Sequence, residues 1–177
     1  MAAKHLQLRS DGSRTFKVAL VGSLGCGKTN LINRLVGSPV TESHTPTLGQ
    51  ELIVKEMQVG RDTVLLHIWS VGGHERFRPL VLPLLSDVNG CVIAFDQTQA
   101  TSFDEAAFWH RELMRSNPTC AIAVAGTKCD LADSVAVSPE EVVTWCQRIQ
   151  VPYYATSAKA AVSVDKLFDE LTATMLR

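Results

Sequence analysis

The chain has 177 residues, 46% of them apolar, and a formal charge of −1. That length and apolar content suit one domain with a substantial core. The near-neutral charge excludes a strongly basic field for nucleic acid and an acidic solvating tail. Five cysteines, at 26, 91, 120, 129 and 146, are scattered and show no metal-ligand spacing. They are expected to be free thiols in a reducing compartment.

In chain order, residues 1–14 are polar and read as a flexible N-terminal arm, with a single domain over 15–177. No apolar run is long enough to span a membrane. Met1-Ala-Ala-Lys4 fits neither a signal peptide nor an N-myristoylation signal. From Thr15 on, short apolar runs alternate with helical periodicity. Strands are predicted at Phe16–Val21, Leu52–Val59, Val64–Trp69, Cys91–Phe95, Ala121–Ala125 and Tyr153–Ala155. Gly60-Arg61-Asp62 reads as a hairpin turn, so the second and third strands should be antiparallel. The remaining runs are almost unbroken apolar, as in parallel strands buried on both faces.

Leu31, Ile32, Leu35 and Val36 mark a first helix. Phe103, Ala106, Ala107, His110, Leu113 and Met114 share one face of another. Ser138-Pro-Glu-Glu141 is a capping box with proline at the first helical position. Val164, Leu167, Phe168, Leu171 and Met175 make a last amphipathic helix. The alternation implies a doubly wound α/β sheet of six mostly parallel strands, one antiparallel, flanked by five helices. Its ligand should lie beyond the carboxyl ends of the strands.

Gly22-Ser-Leu-Gly-Cys-Gly-Lys-Thr29 reads G-x-x-x-x-G-K-T between the first strand and first helix, the order a phosphate-binding loop requires. Backbone N–H groups of Gly22, Ser23, Leu24, Gly25, Cys26 and Gly27 can curl around a polyphosphate. The helix start at Lys28, Thr29 and Asn30 adds partial positive charge. Lys28 would reach the terminal phosphates and the Thr29 hydroxyl would ligate Mg²⁺. Thr127-Lys-Cys-Asp130, followed by Leu131, comes directly after the fifth strand. An Asp there can accept from N1–H and the 2-amino group of guanine, whereas adenine would leave it unpaired. The stem of Lys128 can lie along the base and ribose. After the last strand, Ser157-Ala158-Lys159 can offer a backbone N–H to guanine O6.

With these motifs, the chain resembles a small GTPase of the Ras superfamily, a P-loop NTPase fold, over Phe16 to about Leu176. It is most similar to the Rab branch in Thr47-Leu-Gly49, Trp69, Gly73-His-Glu-Arg-Phe77, Phe95-Asp-Gln-Thr98 with Ser102-Phe103, and the two base-recognition motifs. Trp69-Ser-Val-Gly-Gly73 followed by Arg78-Pro-Leu80 also resembles the Arf branch, which lacks the S-A-K motif. P-loop kinases lack the T-K-x-D clamp. The resemblance implies a switch that binds GTP or GDP with Mg²⁺. Thr47 would bind Mg²⁺ and the γ-phosphate, and the Gly73 N–H would contact the γ-phosphate.

Four departures from the family pattern bear on mechanism. Ser70 replaces an Asp that holds Mg²⁺ through water, so weaker metal retention is expected. His74 replaces the water-positioning Gln and remains the candidate catalytic group, since neutral imidazole offers one donor and one acceptor. Leu24 is bulky where the family prefers a small residue. Together these three imply slow hydrolysis. Finally, Val40, Leu52, Leu84 and Leu85 replace aromatic residues, so that only Trp69 remains of an effector-reading triad. About half of Leu80, Val81, Leu82, Leu84 and Leu85 are expected in the core, the rest in an apolar docking patch.

The resemblance implies protein effectors and regulators docking through Thr47, Leu52, Trp69 and Phe77, no nucleic acid partner, and a monomer. A cytoplasmic location is expected, with membrane association only through a lipidated tail beyond Arg177. The competing reading is a pseudo-GTPase subunit of a larger assembly, in which GTP is structural.

Overall fold

The computed structural model describes residues 7–8, 14–41 and 49–177. Their strands are β1 (Gln7–Leu8), β2 (Arg14–Gly22), β3 (Gln50–Val59), β4 (Asp62–Val71), β5 (Gly90–Asp96), β6 (Ala121–Thr127) and β7 (Tyr153–Ala155). Their helices are α1 (Lys28–Val36), α2 (Arg78–Leu85), α3 (Ala100–Ser116), α4 (Pro139–Ile149) and α5 (Val164–Met175). Six strands run in the order β3-β4-β2-β5-β6-β7, and the two-residue β1 adds to β2. All neighbouring pairs on the six-strand path are parallel except β3 with β4.

The predicted strands are all present and mostly run longer than expected. In the hairpin, Asp62 belongs to β4 and pairs with Val59, leaving Gly60-Arg61 as a two-residue turn. Within the expected arm, Gln7 and Leu8 pair antiparallel with Thr15 and Arg14.

The period of two along β2 explains the layering. Phe16, Val18 and Leu20 face a core shared with Leu31 and Leu35 of α1 and Leu167, Phe168 and Leu171 of α5. Ala19 and Val21 face the other core, with Val81 and Leu85 of α2 and Ala106, Trp109 and Leu113 of α3. Burying each large side chain contributes roughly 1.5–3 kcal/mol, which fixes both sides of the central strand. The chain after β2 enters α1 on one face, while the chain after β5 enters α3 on the other. Their divergence opens a crevice at the carboxyl ends of β2 and β5.

The helix ends follow their sequences. Gly37 adopts φ 76°, and its N–H and that of Ser38 return to the carbonyls of Arg34 and Asn33, closing α1. At α4 the Ser138 hydroxyl accepts from the Glu141 N–H at 3.4 Å but donates to Glu140 at 2.6 Å. The cap is therefore as expected, with Glu140 rather than Glu141 as the carboxylate partner. Glu140 is held below the usual carboxylate value, first by that hydroxyl and then by its own N–H.

Candidate nucleotide site

The motifs expected to bind nucleotide that fall within the described residues lie at carboxyl strand ends. Gly22 ends β2, Ser70 lies one residue before the end of β4, Thr127 ends β6, and Ser157 follows β7. Thr47 and Leu48, on which the expected switch I contacts fall, lie outside the described residues.

Gly22 packs so tightly on β5 that an added Cβ would come 2.1 Å from the Ala94 carbonyl oxygen, at a φ of +145°. The loop then turns into α1 through Gly27, with φ 91° and no side-chain cap. The first turn of α1 carries no acidic residue, so its positive end is not offset locally. The first backbone bond of the helix is Leu31 N–H to Gly27 C=O, and the amides ahead of it point out of the helix start. Lys28 is buried, and its ammonium donates to the carbonyls of Gly22 (2.9 Å) and Ser23 (2.7 Å). A cation held by neutral carbonyls inside the loop is already placed to meet an anion there. The Asn30 side chain instead clasps the backbone of Thr41, donating to its carbonyl at 2.8 Å and accepting from its N–H at 3.1 Å.

The two base-recognition motifs are tied to this loop and to each other. The Thr127 hydroxyl lies 2.6 Å from the Cys26 carbonyl and 3.0 Å from that of Phe95. The Cys129 N–H donates to the Thr156 carbonyl, and Ser157 pairs with Val162 to close the following turn. Arg34 of α1 donates from Nε to the Ala158 carbonyl at 2.6 Å and from its guanidinium to that of Lys159 at 3.2 Å. That bond fixes the Ala158–Lys159 peptide against α1. Asp130 and Leu131 are exposed at the rim. The Cys129 thiol is pushed up, by burial first and then by the Asp130 charge, so it stays protonated.

Sequence reasoning missed two members of this arrangement. Asp96, fully buried at the end of β5, forms an ion pair with the Lys128 ammonium. Its other oxygen accepts from the Thr98 N–H and hydroxyl at 2.9 and 2.7 Å. Lys128 itself sits at φ 59°, a left-handed conformation that a non-glycine residue holds only when its surroundings impose it. Asp96 could have been noticed as an acid ending an all-apolar strand; Arg34 carried no local signal.

The far side is looser. An added Cβ on Gly73 would lie 2.4 Å from both the Leu24 nitrogen and the Ser23 carbonyl carbon, so the two backbones are in direct contact. Leu24 is 45% exposed above that contact. Ser70 is buried, and its hydroxyl and that of Ser23 are two of four buried side-chain polar atoms without a partner among the described residues. His74 is exposed, and its Nδ1 accepts from the Arg76 N–H at 3.3 Å, capping the 3-10 turn Glu75–Phe77. In α2, Val81 and Leu85 are buried, Leu82 and Leu84 are half-buried, and Leu80 is 59% exposed, in line with the expected division. Among the described residues no helix is long and apolar enough to cross a membrane.

The Ras family model matches residues 17–177. The chain is 33% identical over 165 residues to the Ras-related protein Rab-7b of Homo sapiens, covering 90% of this chain and 82% of that protein. It is 30% identical to the Ras-related protein Rab-7a of Dictyostelium discoideum, covering 91% and 82%. It is 31% identical to the Ypt/Rab-type GTPase Rab7 of Gibberella zeae, covering 90% and 82%. With the phosphate loop and both base-recognition motifs at the strand ends of a doubly wound sheet, the chain belongs to the Ras family of small GTPases and is Rab-like.

Proposed function

We propose that this chain is a guanine-nucleotide switch that holds GTP or GDP with Mg²⁺ and turns GTP over slowly. The observation that carries the reading is the Thr127 hydroxyl joined to the Cys26 carbonyl, which couples the base clamp to the phosphate loop. Asp130 selects guanine, with Lys128 along the base and the Ala158 N–H toward O6. The loop amides from Ser23 to Asn30 and the Lys28 ammonium bind phosphates. Gly73 offers its N–H to the γ-phosphate.

The donors fit a hard cation. Among the described residues no group of three His, Cys, Asp or Glu could hold a metal ion. The Thr29 hydroxyl, with Thr47, suits Mg²⁺, which keeps several waters and takes its other oxygens from phosphates. The buried, unpartnered Ser70 hydroxyl suits one such water, more weakly than a carboxylate would. Bound Mg²⁺ would neutralise charge on the β- and γ-phosphates.

Slow turnover follows from three side chains. Leu24 stands over the loop, Ser70 is neutral, and His74, with Nδ1 accepting from the Arg76 N–H, keeps only its Nε2–H donor for a water. Effectors and regulators would read Leu52, Trp69, Phe77 and Thr47, in intracellular transport. Leu52 and Trp69 are directly opposed on β3 and β4, and the Arg76 guanidinium lies 4.8 Å from the Phe77 ring centre.

The engaged His74 also supports the second reading, a GTP-binding subunit without meaningful turnover. Single-turnover hydrolysis of bound GTP separates the two. Partner-accelerated turnover by the unmodified chain, increased by Leu24→Gly, Ser70→Asp and His74→Gln together, supports the switch. Absent turnover with retained GTP-dependent partner binding overturns it in favour of the second.

A further inference from the structure

The outer edge of β3 carries a pattern that the described residues do not use. β3 ends the sheet and pairs only with β4 among the described residues. The Gly72 N–H donates to the Gly49 carbonyl at 2.8 Å, so Gly49 turns its peptide groups toward β4. Peptide directions alternate along a strand. Glu51, Ile53, Lys55, Met57 and Val59 therefore bond to β4, while Gln50, Leu52, Val54, Glu56 and Gln58 present their N–H and C=O groups outward. The pairing of Val59 with Asp62 across the two-residue turn agrees.

That edge spans ten residues, and Leu52 and Val54 are 45% and 54% exposed on it. It lacks proline. Long edges are templates for another strand and are usually blunted, often by charge, and this one carries Glu51, Lys55 and Glu56. Here the charges favour one template. Placed antiparallel against its own copy about a two-fold through Ile53, β3 sets Leu52 opposite Val54 and Glu51 opposite Lys55, each twice. Neither Glu51 nor Lys55 has an ion-pair partner among the described residues. Shifting the two-fold to Val54 sets both charges against apolar side chains, and shifting it to Leu52 sets Glu51 against Ile53 and Lys55 against Gly49. Shifting it by two sets Glu51 or Lys55 against itself. Only the Ile53-centred register matches apolar with apolar and acid with base, and it also pairs outward peptide groups with outward ones.

We infer that the β3 edge is a self-association surface, on which a second copy of this chain pairs antiparallel about Ile53 to join two sheets. The pairing is isologous and replaces the monomer expected from the sequence. It covers Leu52, so a copy and an effector reading that residue would compete.

Analytical ultracentrifugation of the nucleotide-loaded chain over a concentration series tests this, with circular dichroism confirming that each variant folds. The unmodified chain should dimerise. Lys55→Glu and Glu51→Lys should each weaken the dimer about tenfold, since each change counts twice and adds repulsion. The double exchange, Glu51→Lys with Lys55→Glu, should return it to within about threefold, as expected of directly paired charges. Val54→Pro should abolish the dimer while the monomer stays folded, because the Val54 N–H points away from β4. A monomer at all concentrations, or a dimer indifferent to these changes, overturns the inference.

Discussion

At the base end of the site, loops from β2, β6 and β7 hold one another through Thr127, Cys129 and Arg34. At the opposite end, Gly73 meets the same phosphate loop only by backbone contact, and His74 is occupied with its own turn. The first end is cross-linked by hydrogen bonds between elements distant in sequence; the second is held by a short, partly exposed segment. On the proposed function, grip and turnover would rest on different physics: a rigid polar network would retain the ligand, and a loose segment would respond to its last phosphate.

Replacing Asp130 by Asn should break the base end most severely. Asn keeps one neutral acceptor and turns an NH2 toward a guanine donor. One charge-assisted hydrogen bond, worth about 1.5–3 kcal/mol, would go, the other would weaken, and guanine-over-adenine preference should fall about a thousandfold. Competition between GDP and ADP measures it. The two tight glycines compare the ends directly. Gly22→Ala forces a Cβ onto the Ala94 carbonyl of a buried strand at positive φ, and should cost about 3 kcal/mol in denaturant unfolding. Gly73→Ala meets backbone just as closely, but its half-exposed segment can retreat, so about 1 kcal/mol is expected. Equal costs would remove the distinction between a rigid and a yielding end.

Thr127→Val removes the hydroxyl between the two motifs at nearly constant volume. A loss of about 1–1.5 kcal/mol should speed release of a fluorescent GDP roughly tenfold. An unchanged rate would show the ends to be uncoupled. The smallest effect lies away from the site. Glu140 has a depressed folded-state pKa, so its contribution is present above its usual value of 4.5 and lost as pH falls through the lower folded value. Glu140→Gln should lower the melting temperature slightly at pH 7, and that difference should close in acid.

The strands, the one antiparallel pair and the places of the three motifs, though not the strand order, were legible because each motif combines side chains with a strand end on its N-terminal side. Strand lengths were less so: β4 continues through Ser70 and Val71 because Glu51 and Gln50 pair with them, which hydropathy cannot show at a serine. Phe95-Asp-Gln-Thr98 could be quoted as a likeness, but the pairing of Asp96 with Lys128 spans 32 positions and depends on adjacent parallel strands. Arg34 likewise acts 124 residues away. The contact of Gly73 with Ser23 and Leu24 depends on loop geometry that residue types alone do not specify.

The ion pair beneath the base clamp has a consequence for how damage at this site would be read. A carboxylate sealed in the sheet tolerates its lysine partner's loss poorly, because removing one member of such a pair strands the other's charge. Lys128→Ala would therefore register as a folding defect even with no nucleotide present. A survey of variants scored by cellular abundance would class Lys128 with the core and Asp130, exposed at the rim, with the tolerant surface, although the proposed clamp draws on both.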